Sequence, residues 1–304
     1  MSLSALVIGF GSIGKRHAEI MNAMDEVAHL SVLSSQSGLP YDTLSSLEDI
    51  PRLNPDYVVI ASPTNRHYPE LKFLEEHLEG KKILVEKPLF DSMVDFKALN
   101  NEVYVGYNLR FHPLINKIRA LCRGRKLWSM HVFCGSYLPD WRPGRDYRLT
   151  SSAQKDSGGG VLLDLSHELD CVQWLAGPLK VDHAMTEKVS DLEIDSDDLL
   201  LLSGQTKNGV HVHISLNYFT RKPIRHIFMD GEGISIQGDL IANSLSATVE
   251  GKKSDFSWLA LDRNETYRAM HHAVLEGDFS NICNYDQGLQ TMVLIERIRS
   301  WPQG

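Results

Sequence analysis

The sequence predicts a two-domain α/β protein, in which a doubly wound parallel sheet is followed by an α+β domain with a largely antiparallel, open sheet. The chain has 304 residues, about twice the length of a typical domain. Short apolar runs alternate with amphipathic helical segments up to about residue 111, a rhythm typical of a parallel sheet. Later apolar runs are joined by glycine-containing turns, which indicates antiparallel strands.

The first βαβ unit begins close to the N-terminus. Ala5 to Ile8 is an unbroken apolar run that ends at Gly9, as expected for a buried parallel strand. Residues 12–24 have helical spacing of apolar side chains, and residues 28–33 are predicted to form the second strand. The same alternation predicts strands over 56–61, 82–85 and 103–106, with a helix over 67–78.

The character of the sequence changes after Phe111, and we predict domains over residues 1–111 and 112–304. A helix over 114–122 leads into a strand over 128–135 and a polar loop over 137–160. A glycine-led helix is predicted to carry residues 161–170. The remaining predicted elements are strands over 198–202, 210–218, 226–230 and 233–237, then helices over 266–275 and 286–300.

Composition favours a protein with a small-molecule partner. Apolar residues make up 42% of the chain and the formal net charge is −8, so no basic field exists to hold a nucleic acid. The four cysteines are widely scattered without a CxxC pair, which indicates reduced thiols rather than a disulfide framework. We see no secretory leader and no apolar run of the roughly 18 residues that a membrane span needs. We therefore expect a cytoplasmic protein without a membrane partner.

A glycine motif predicts a dinucleotide site. Gly9, Gly11 and Gly14 spell GxGxxG between the first strand and the first helix, the context in which that string indicates a Rossmann fold. The first glycine permits the tight turn, the second lets the backbone approach a pyrophosphate, and the third lets helix and strand pack closely. The helix N-terminus would then offer its unpaired N–H groups to the phosphates. An ordinary glycine turn is the alternative interpretation of the motif alone.

The end of the second strand bears on the choice between NAD and NADP. NAD-binding folds place an acidic residue about 20 positions after the third glycine, where it binds the ribose hydroxyls. Here that region reads Ser34-Ser35-Gln36-Ser37. No carboxylate would repel a 2′-phosphate, which favours NADP, but no arginine is adjacent in sequence and both cofactors stay open.

Two further motifs carry candidate chemistry. Glu86-Lys87-Pro88 follows a predicted strand, which puts a lysine at the carboxyl edge of a parallel sheet, where ligands of α/β proteins bind. On the glycine-led helix, Asp164, His167 and Asp170 are three residues apart and would share one helix face. A carboxylate can orient an imidazole, whose pKa near 6.5 suits proton transfer. A surface lysine and a solvated helix face are the alternatives.

Taken together, these motifs resemble the glucose–fructose oxidoreductase, inositol dehydrogenase and MocA family. The resemblance rests on GFGSIGKRH from Gly9, ASPTNRH from Ala61, VEKP from Val85 and GGGVLLDLSHELD from Gly158, and it spans nearly the whole chain. It implies an NAD(P)-binding first domain and a second domain for substrate binding and oligomerisation. The cofactor contacts that it implies are Gly9, Phe10, Gly11, Ser12, Ile13, Gly14, Ser34, Ser35, Ser62, Pro63, Asn65, His67, Glu86 and Lys87.

The resemblance also implies catalytic roles. Lys87 would contact cofactor and substrate, while Asp164 and His167 would take part in proton transfer and substrate binding. The family spaces the aspartate and histidine four residues apart, whereas here they are three apart, so the carboxylate is expected to point in a different direction from that of the family. The other histidines of the motifs, His17 and His67, are expected to be structural or to border the cofactor, and His271 and His272 to lie on an ordinary helix.

Arginines before the histidine helix raise the prospect of an acidic substrate. Arg110 and Arg142 are predicted to bind a carboxylate or phosphate, because a guanidinium pairs with both groups bidentately; Arg145 and Arg148 belong to the same cluster. Solvated loop arginines, or arginines that bridge subunits, are equally compatible with the sequence. No HExxH or other metal-ligand spacing is present, so we predict no metal.

We therefore expect an NAD(P)-dependent dehydrogenase that acts on the carbinol or ketone of a sugar, sugar nucleotide or cyclitol. In this hypothesis His167 removes the hydroxyl proton and Lys87 stabilises negative charge on the oxygen. Two alternatives stay open: an NAD(P)-binding sensor or scaffold without turnover, and a lyase or glycosidase that oxidises its substrate transiently. A homodimer or homotetramer is expected, because an open sheet face needs covering.

Overall fold

The computed structural model describes residues 3–258 and 261–302. The strands are β1 Leu3–Ile8, β2 Val27–Leu33, β3 Asp42–Leu44, β4 Tyr57–Ile60, β5 Lys82–Val85, β6 Glu102–Val105, β7 Leu127–Gly135, β8 Leu179–Glu187, β9 Leu199–Thr206, β10 His211–Asn217, β11 Ile224–Gly231, β12 Ile234–Asp239, β13 Ser244–Val249, β14 Lys252–Ser257 and β15 Cys283–Asn284. The helices are α1 Ser12–Asn22, α2 Ile50–Leu53, α3 His67–His77, α4 Pro113–Cys122, α5 Val161–Asp164, α6 Ser166–Ala176, α7 Glu265–Glu276 and α8 Tyr285–Arg299.

The chain divides into two compact units. The first contains residues 1–111 and 262–289, and the second contains residues 112–261 and 290–304. The division therefore falls after Phe111, but the segment 262–289 belongs to the first unit, whereas the sequence-based boundary assigns it to the second. Its apolar residues Met270, Val274 and Ile282 are buried in the same core as α1 and β1, and β15 pairs with the edge strand β6. Burial of these side chains explains why the chain returns to the first unit.

The first unit contains a seven-stranded sheet in the order β15-β6-β5-β4-β1-β2-β3. All its strands are parallel except β15, and the strand order reverses between β1 and β4. Strands β1, β4 and β5 are almost wholly buried, which is why each reads as a continuous apolar run rather than an alternating one. The predicted doubly wound parallel sheet is confirmed, and its reversal point is where ligands of such folds bind.

The second unit contains an eight-stranded sheet in the order β14-β13-β12-β11-β7-β10-β9-β8. Only β7 and β10 run parallel; the other neighbours are antiparallel. Helices α4 and α6 contact β12 and β7 respectively. The predicted largely antiparallel sheet is thus confirmed.

Three of the strands in this sheet have no counterpart in the sequence-based prediction, and each has a physical reason for that. In β8, the register shifts between Val181 and His183, so the buried residues Val181 and Ala184 are three apart and break the period of two. In β13 the buried side chains are Leu245 and the small Ala247, so its alternation is only weakly apolar, and the edge strand β14 is exposed along nearly its whole length. Periodicity carries little signal for such segments.

The predicted single helix over 161–170 is wrong. Helix α5 ends at Asp164, Leu165 leaves the helical conformation with φ −99° and ψ 24°, and α6 begins at Ser166. Asp164 is therefore the last residue of α5, and His167 is the second residue of α6. The two side chains do not share a helix face, although they are three residues apart. Asp170 is 1% exposed, so it is a buried residue of α6 rather than part of a polar stripe.

Candidate functional site

In the first unit, the predicted cofactor residues follow four adjacent parallel strands. The glycine loop follows β1, Ser34 and Ser35 follow β2, the segment 62–67 follows β4, and Glu86 with Lys87 follows β5. The register aligns Ile8 with Leu33 and Ile60, and Ile60 with Val85. All these residues consequently lie at the carboxyl ends of the parallel strands. They stand on both sides of the point between β1 and β4 where the strand order reverses.

The glycine loop has the geometry that the motif predicts. Gly9 has φ +91°, and a Cβ there would lie 2.8 Å from the Ser62 backbone. A Cβ on Gly14 would collide with the Gly9 carbonyl oxygen, whereas none of the described residues comes within 4 Å of a Cβ built on Gly11. The first and third glycines are therefore required by the protein's own packing, and Gly11 leaves open space for a ligand. Helix α1 has no acidic residue in its first turn, so its N-terminus suits an anion.

An open pocket of about 240 Å³ adjoins this loop. Its lining combines glycine-loop backbone with hydroxyl, amide and charged side chains: Ile8, Gly9, Phe10, Leu33, Ser34, Ser35, Gln36, Ser45, Ser62, Pro63, Arg66 and Glu70. Gln36 Nε2 donates to the Phe10 carbonyl at 2.9 Å and so ties the end of β2 to the loop. These residues fit a dinucleotide, which requires phosphate donors at the helix terminus and hydroxyl-binding groups beside it.

Arg66 is a lining residue that sequence reasoning missed. It is 32 positions beyond Ser34 in the chain, and only the alignment of β2 and β4 on either side of β1 brings both into one pocket. Its Nε lies 3.1 Å from Glu70 Oε1, and Glu70 Oε2 accepts a 2.6 Å hydrogen bond from Ser62. Burial raises the pKa of Glu70, partly offset by Ser62 and Arg66.

The lysine loop is held by buried hydrogen bonds. Lys87 is half-buried, Glu86 is buried, and the peptide bond between Lys87 and Pro88 is cis. Glu86 Oε2 accepts from the Lys87 backbone N–H at 3.1 Å. His67 joins this loop to the β4 loop, because its Nδ1 lies 3.0 Å from the Pro88 carbonyl and its Nε2 3.0 Å from the Ser62 carbonyl. Burial lowers the pKa of His67, although these carbonyls act in the opposite direction.

In the second unit, Asp164 is paired with a residue that sequence reasoning also missed. The Tyr218 hydroxyl donates a 2.6 Å hydrogen bond to Asp164 Oδ2. Tyr218 directly follows β10 and is wholly buried, and Trp141 packs edge-on against its ring at 5.2 Å. Burial, followed by the charge of Asp164, raises the pKa of Tyr218 well above 10. The phenol therefore stays protonated and donates a hydrogen bond to the carboxylate.

The glycine-led segment is anchored from a neighbouring acidic loop. Asp197 Oδ2 accepts from the Leu162 backbone N–H at 2.9 Å, and the Asp197 carbonyl accepts from Val161 at 2.9 Å. Burial raises the pKa of Asp197 despite these donors. Asp164 and His167, which flank the break at Leu165, are both half-buried, so each is partly accessible to solvent. This segment can hold a carboxylate and an imidazole as acid and base groups.

The predicted arginines separate into different environments. Arg110 is 3% exposed and donates to Gln287 Oε1 at 2.6 Å and to the Ile282 carbonyl at 3.3 Å. These contacts give it a structural role in the first unit, and we omit it from the proposed substrate residues. Arg142 is exposed and, with Arg145, lines a small cavity beside Trp141. Arg148 is paired with Asp146 and Glu193.

The predictions about metals and membranes have separate outcomes. Among the described residues one surface group, Glu26, His272 and Glu276, has ligand atoms within 4.8 Å of one another, and the absence of a metal stays a prediction. None of the described helices has both the length and the apolar character needed to cross a membrane.

Comparisons with known proteins agree with this architecture. Residues 3–103 match the family described as "Oxidoreductase family, NAD-binding Rossmann fold", and residues 115–238 match the "GFO/IDH/MocA C-terminal domain". A 2,7-anhydro-N-acetylneuraminate hydratase from Mediterraneibacter gnavus is 22% identical, over 82% of this chain and 71% of the relative. An inositol 2-dehydrogenase from Corynebacterium glutamicum is 25% identical, over 71% of this chain and 67% of the relative.

Solved structures share the fold. The WlbA dehydrogenase from Bordetella pertussis, solved in complex with NADH and UDP-GlcNAcA, superimposes with a TM-score of 0.78 at 17% identity. The likeness covers 100% of this chain and 99% of that one.

Proposed function

Because the chain belongs to the glucose–fructose oxidoreductase, inositol dehydrogenase and MocA family of oxidoreductases, we propose that it is a dehydrogenase of sugar-like alcohols. The substrate would be a carbinol, or the corresponding ketone, of a sugar, sugar nucleotide or cyclitol. The observation that carries this proposal is the glycine loop, where Gly9 and Gly14 are fixed by packing while Gly11 faces open space. That is the arrangement through which a Rossmann fold admits a pyrophosphate.

The proposed chemistry uses three side chains. A nicotinamide cofactor, when bound, supplies the acceptor for the hydride that leaves the carbinol carbon. His167 takes the hydroxyl proton as the carbonyl forms, and Asp164, held by Tyr218, supports the imidazolium charge. The Lys87 ammonium stabilises negative charge on the substrate oxygen. In the reductive direction the same groups return the proton.

The experiment is a turnover screen with NAD and NADP. The panel contains myo-inositol, UDP-N-acetylglucosamine and its uronic acid, and 2,7-anhydro-N-acetylneuraminate, and the readout is the absorbance of reduced cofactor. We expect one class to be oxidised, and Lys87→Ala and His167→Ala each to abolish turnover. Lys81→Ala, at the opposite end of β5, and His77→Ala, at the exposed end of α3, are the matched controls. Full activity in both test variants would refute the assigned roles.

The same screen separates the remaining alternatives. Product without a stoichiometric amount of reduced cofactor would indicate transient oxidation, as in a lyase or glycosidase. Cofactor binding without turnover of any panel member or of a wider set of polyols would instead favour a sensor or scaffold.

For the cofactor we propose NADP rather than NAD. Ser34, Ser35 and Arg66 line one pocket with hydroxyl groups and a guanidinium, which are donors suited to a 2′-phosphate. The pocket's carboxylate, Glu70, is 2% exposed and engaged by Arg66 and Ser62, so it is poorly placed to bind ribose hydroxyls.

Calorimetry with two nucleotides tests this preference without any substrate. We expect 2′,5′-ADP to bind at least about tenfold more tightly than 5′-ADP, a difference of about 1.4 kcal/mol. Arg66→Ala should remove most of that difference, whereas the exposed Arg52→Ala should leave it intact. Equal affinities in the unmodified protein would refute the preference for NADP.

We also propose a cytoplasmic homodimer or homotetramer. One face of the eight-stranded sheet carries His131, Leu201, His213 and Phe228 around an open depression, and Leu201 is 39% exposed. An apolar sheet face of this kind is typical of an interface between subunits. Light scattering after size-exclusion chromatography measures the state directly, and a monomer at micromolar concentration would contradict the proposal.

A further inference from the structure

A chain of buried hydrogen bonds lies beneath the lysine loop of the first unit. His17 Nε2 is 2.8 Å from Glu86 Oε1, and His17 Nδ1 is 2.9 Å from His271 Nε2. His271 Nδ1 is in turn 2.8 Å from the Tyr57 hydroxyl. Both imidazoles and the phenol are fully buried. The four side chains come from α1, α7, β4 and the residue after β5.

The pKa shifts indicate the protonation states of Tyr57 and His271. Burial, followed by neighbouring negative charges, raises the pKa of Tyr57 well above 10, and burial lowers the pKa of His271 well below 6.5. Tyr57 is therefore a phenol and His271 a neutral imidazole. A carboxylate can only accept, so His17 Nε2–H donates to Glu86, whichever ring donates in the bond between His17 Nδ1 and His271 Nε2. Each ring is thus held in one orientation by the groups on both sides of it.

The chain ends on a carboxylate. Burial by itself raises the pKa of Glu86, but the hydrogen bond and charge of His17, with the charge of Lys87, bring that pKa below its ordinary value. Glu86 is consequently ionised and binds through both oxygens: Oε1 to His17 and Oε2 to the backbone N–H of Lys87. Gly106, which directly follows β6, leaves room for this carboxylate because it has no side chain. A Cβ at this position would lie only 3.1 Å from Glu86 Oε1.

A buried ionic and polar arrangement of this kind carries a desolvation cost that an apolar core would avoid. It is satisfied only when every member is present, since loss of one donor leaves its neighbour unpaired in a low dielectric. The segment 262–289 supplies His271 and so completes the chain within the first unit. His271, although far along the sequence, is thereby connected to the backbone of Lys87 through three hydrogen bonds.

We propose that His17, His271 and Tyr57 are positioning residues that orient the Glu86 carboxylate and, through it, the backbone of Lys87. This inference rests on the proposed role of Lys87 in turnover. If the Glu86 carboxylate turned so that Oε2 no longer accepted from the Lys87 N–H, the loop would be released at Lys87. His17, His271 and Tyr57, which are wholly buried, thus control the placement of the ammonium from beneath the site.

Two substitutions of His17 form a matched pair. Both Gln and Asn remove the ring, but only the Gln amide nitrogen reaches the position of Nε2 and can donate to Glu86; the Asn amide matches the Nδ1 position. A purely structural role for the ring predicts similar effects. The positioning role predicts that His17→Asn lowers kcat by about tenfold more than His17→Gln, the size of one net hydrogen bond.

Hydrogen exchange supplies a readout that needs no substrate. In the peptide covering residues 86–90, the Lys87 amide should exchange faster in His17→Asn than in His17→Gln. Only the Asn variant loses the hydrogen bond that orients the Glu86 carboxylate, which accepts from this amide. NADPH affinity, measured by fluorescence, should change by less than about threefold between the two variants. Equal exchange at Lys87 and equal kcat in both variants would overturn the proposal. If the unmodified protein oxidises no substrate, the exchange comparison still decides the positioning role, and only the proposed function fails.

Tyr57→Phe tests the far end of the chain. It removes one oxygen from a wholly buried ring and should raise the exchange rate at Lys87 by a smaller factor than His17→Asn. The control is Tyr104→Phe in the same sheet, which loses a 2.7 Å hydrogen bond to Glu102 instead. If Tyr104→Phe affects the Lys87 amide as much as Tyr57→Phe does, the effect is general loosening of the sheet and the extension of the chain to Tyr57 is refuted.

Discussion

The phenol of Tyr218 donates a 2.6 Å hydrogen bond to Oδ2 of Asp164 from a fully buried position. Asp164 is the last residue of α5, after which the helix breaks at Leu165. The partner of this carboxylate is therefore a tyrosine 54 positions later, and the fixed direction of the carboxylate comes from the sheet rather than from its own helix.

Tyr218→Phe should lower turnover while the fold persists. The substitution keeps the ring against Trp141 but removes the donor to Asp164, a hydrogen bond to a charged group worth about 1.5–3 kcal/mol. If the orientation of Asp164 supports His167, kcat should fall by about 10- to 100-fold, and cofactor affinity should stay unchanged. Tyr147→Phe, which also removes a single hydroxyl in this unit, is the control. Undiminished kcat in Tyr218→Phe would exclude Asp164 from proton transfer.

Gly11→Ala and Gly14→Ala should separate cofactor binding from folding. A methyl group at Gly11 meets no described residue within 4 Å, so we expect the free energy of unfolding to change by less than about 0.5 kcal/mol. Cofactor affinity should nevertheless fall at least about tenfold, because the methyl group occupies the space for the pyrophosphate. At Gly14 the methyl group collides with the Gly9 carbonyl, and about 1–3 kcal/mol of stability should be lost. Urea unfolding and calorimetric cofactor titration measure the two effects; retained affinity in Gly11→Ala would contradict the assigned site.

Arg110→Ala should destabilise the protein. The guanidinium is buried and bonded to Gln287 and Ile282, so truncation removes a charged donor from the buried Ile282 carbonyl and from Gln287 Oε1, which keeps the Asn284 N–H at 3.3 Å. We expect a loss of about 2–4 kcal/mol in the free energy of unfolding, measured in urea. Arg142→Ala, at an exposed position, should change stability by less than about 0.5 kcal/mol. Similar losses in the two variants would contradict the structural role of Arg110.

His112→Asn should reduce the pH dependence of stability. Burial lowers the pKa of His112 from 6.5 to about 4, partly offset by its hydrogen bond to Asn243. As pH falls through this window, the unfolded chain binds a proton that the folded chain does not, so stability falls. Between about pH 7 and pH 5 this one group should cost about 2 kcal/mol. Asn retains an acceptor for the Leu114 N–H that His112 caps and does not titrate.

The measurement is the difference in unfolding free energy between the two pH values for each protein. That difference should be about 2 kcal/mol smaller in His112→Asn than in the unmodified protein, because contributions from all other groups cancel. His29→Asn, at an exposed position of β2, is the control for loss of a surface imidazole. An unchanged pH dependence in His112→Asn would show that His112 titrates alike in both states.

Local sequence patterns determined the first unit and its glycine loop. Continuous apolar runs are diagnostic of β1, β4 and β5 because parallel strands are buried on both faces, and the GxGxxG spacing reports a turn whose packing tolerates only glycine at Gly9 and Gly14. Lys87 could be placed at the sheet edge for the same reason, since the carboxyl ends of parallel strands share one edge. Family resemblance added the candidate roles of Asp164 and His167.

Tertiary structure alone decided which distant side chains meet. Tyr218 reaches Asp164, Arg66 enters the pocket of Ser34, and His271 completes the chain from Glu86 because strands and helices far apart in sequence are aligned by packing. Helical spacing also placed Asp164 and His167 on one face, but the break at Leu165 separates them. Periodicity describes one element at a time, whereas contacts between elements depend on register and on where the chain turns back, which carry no local signal.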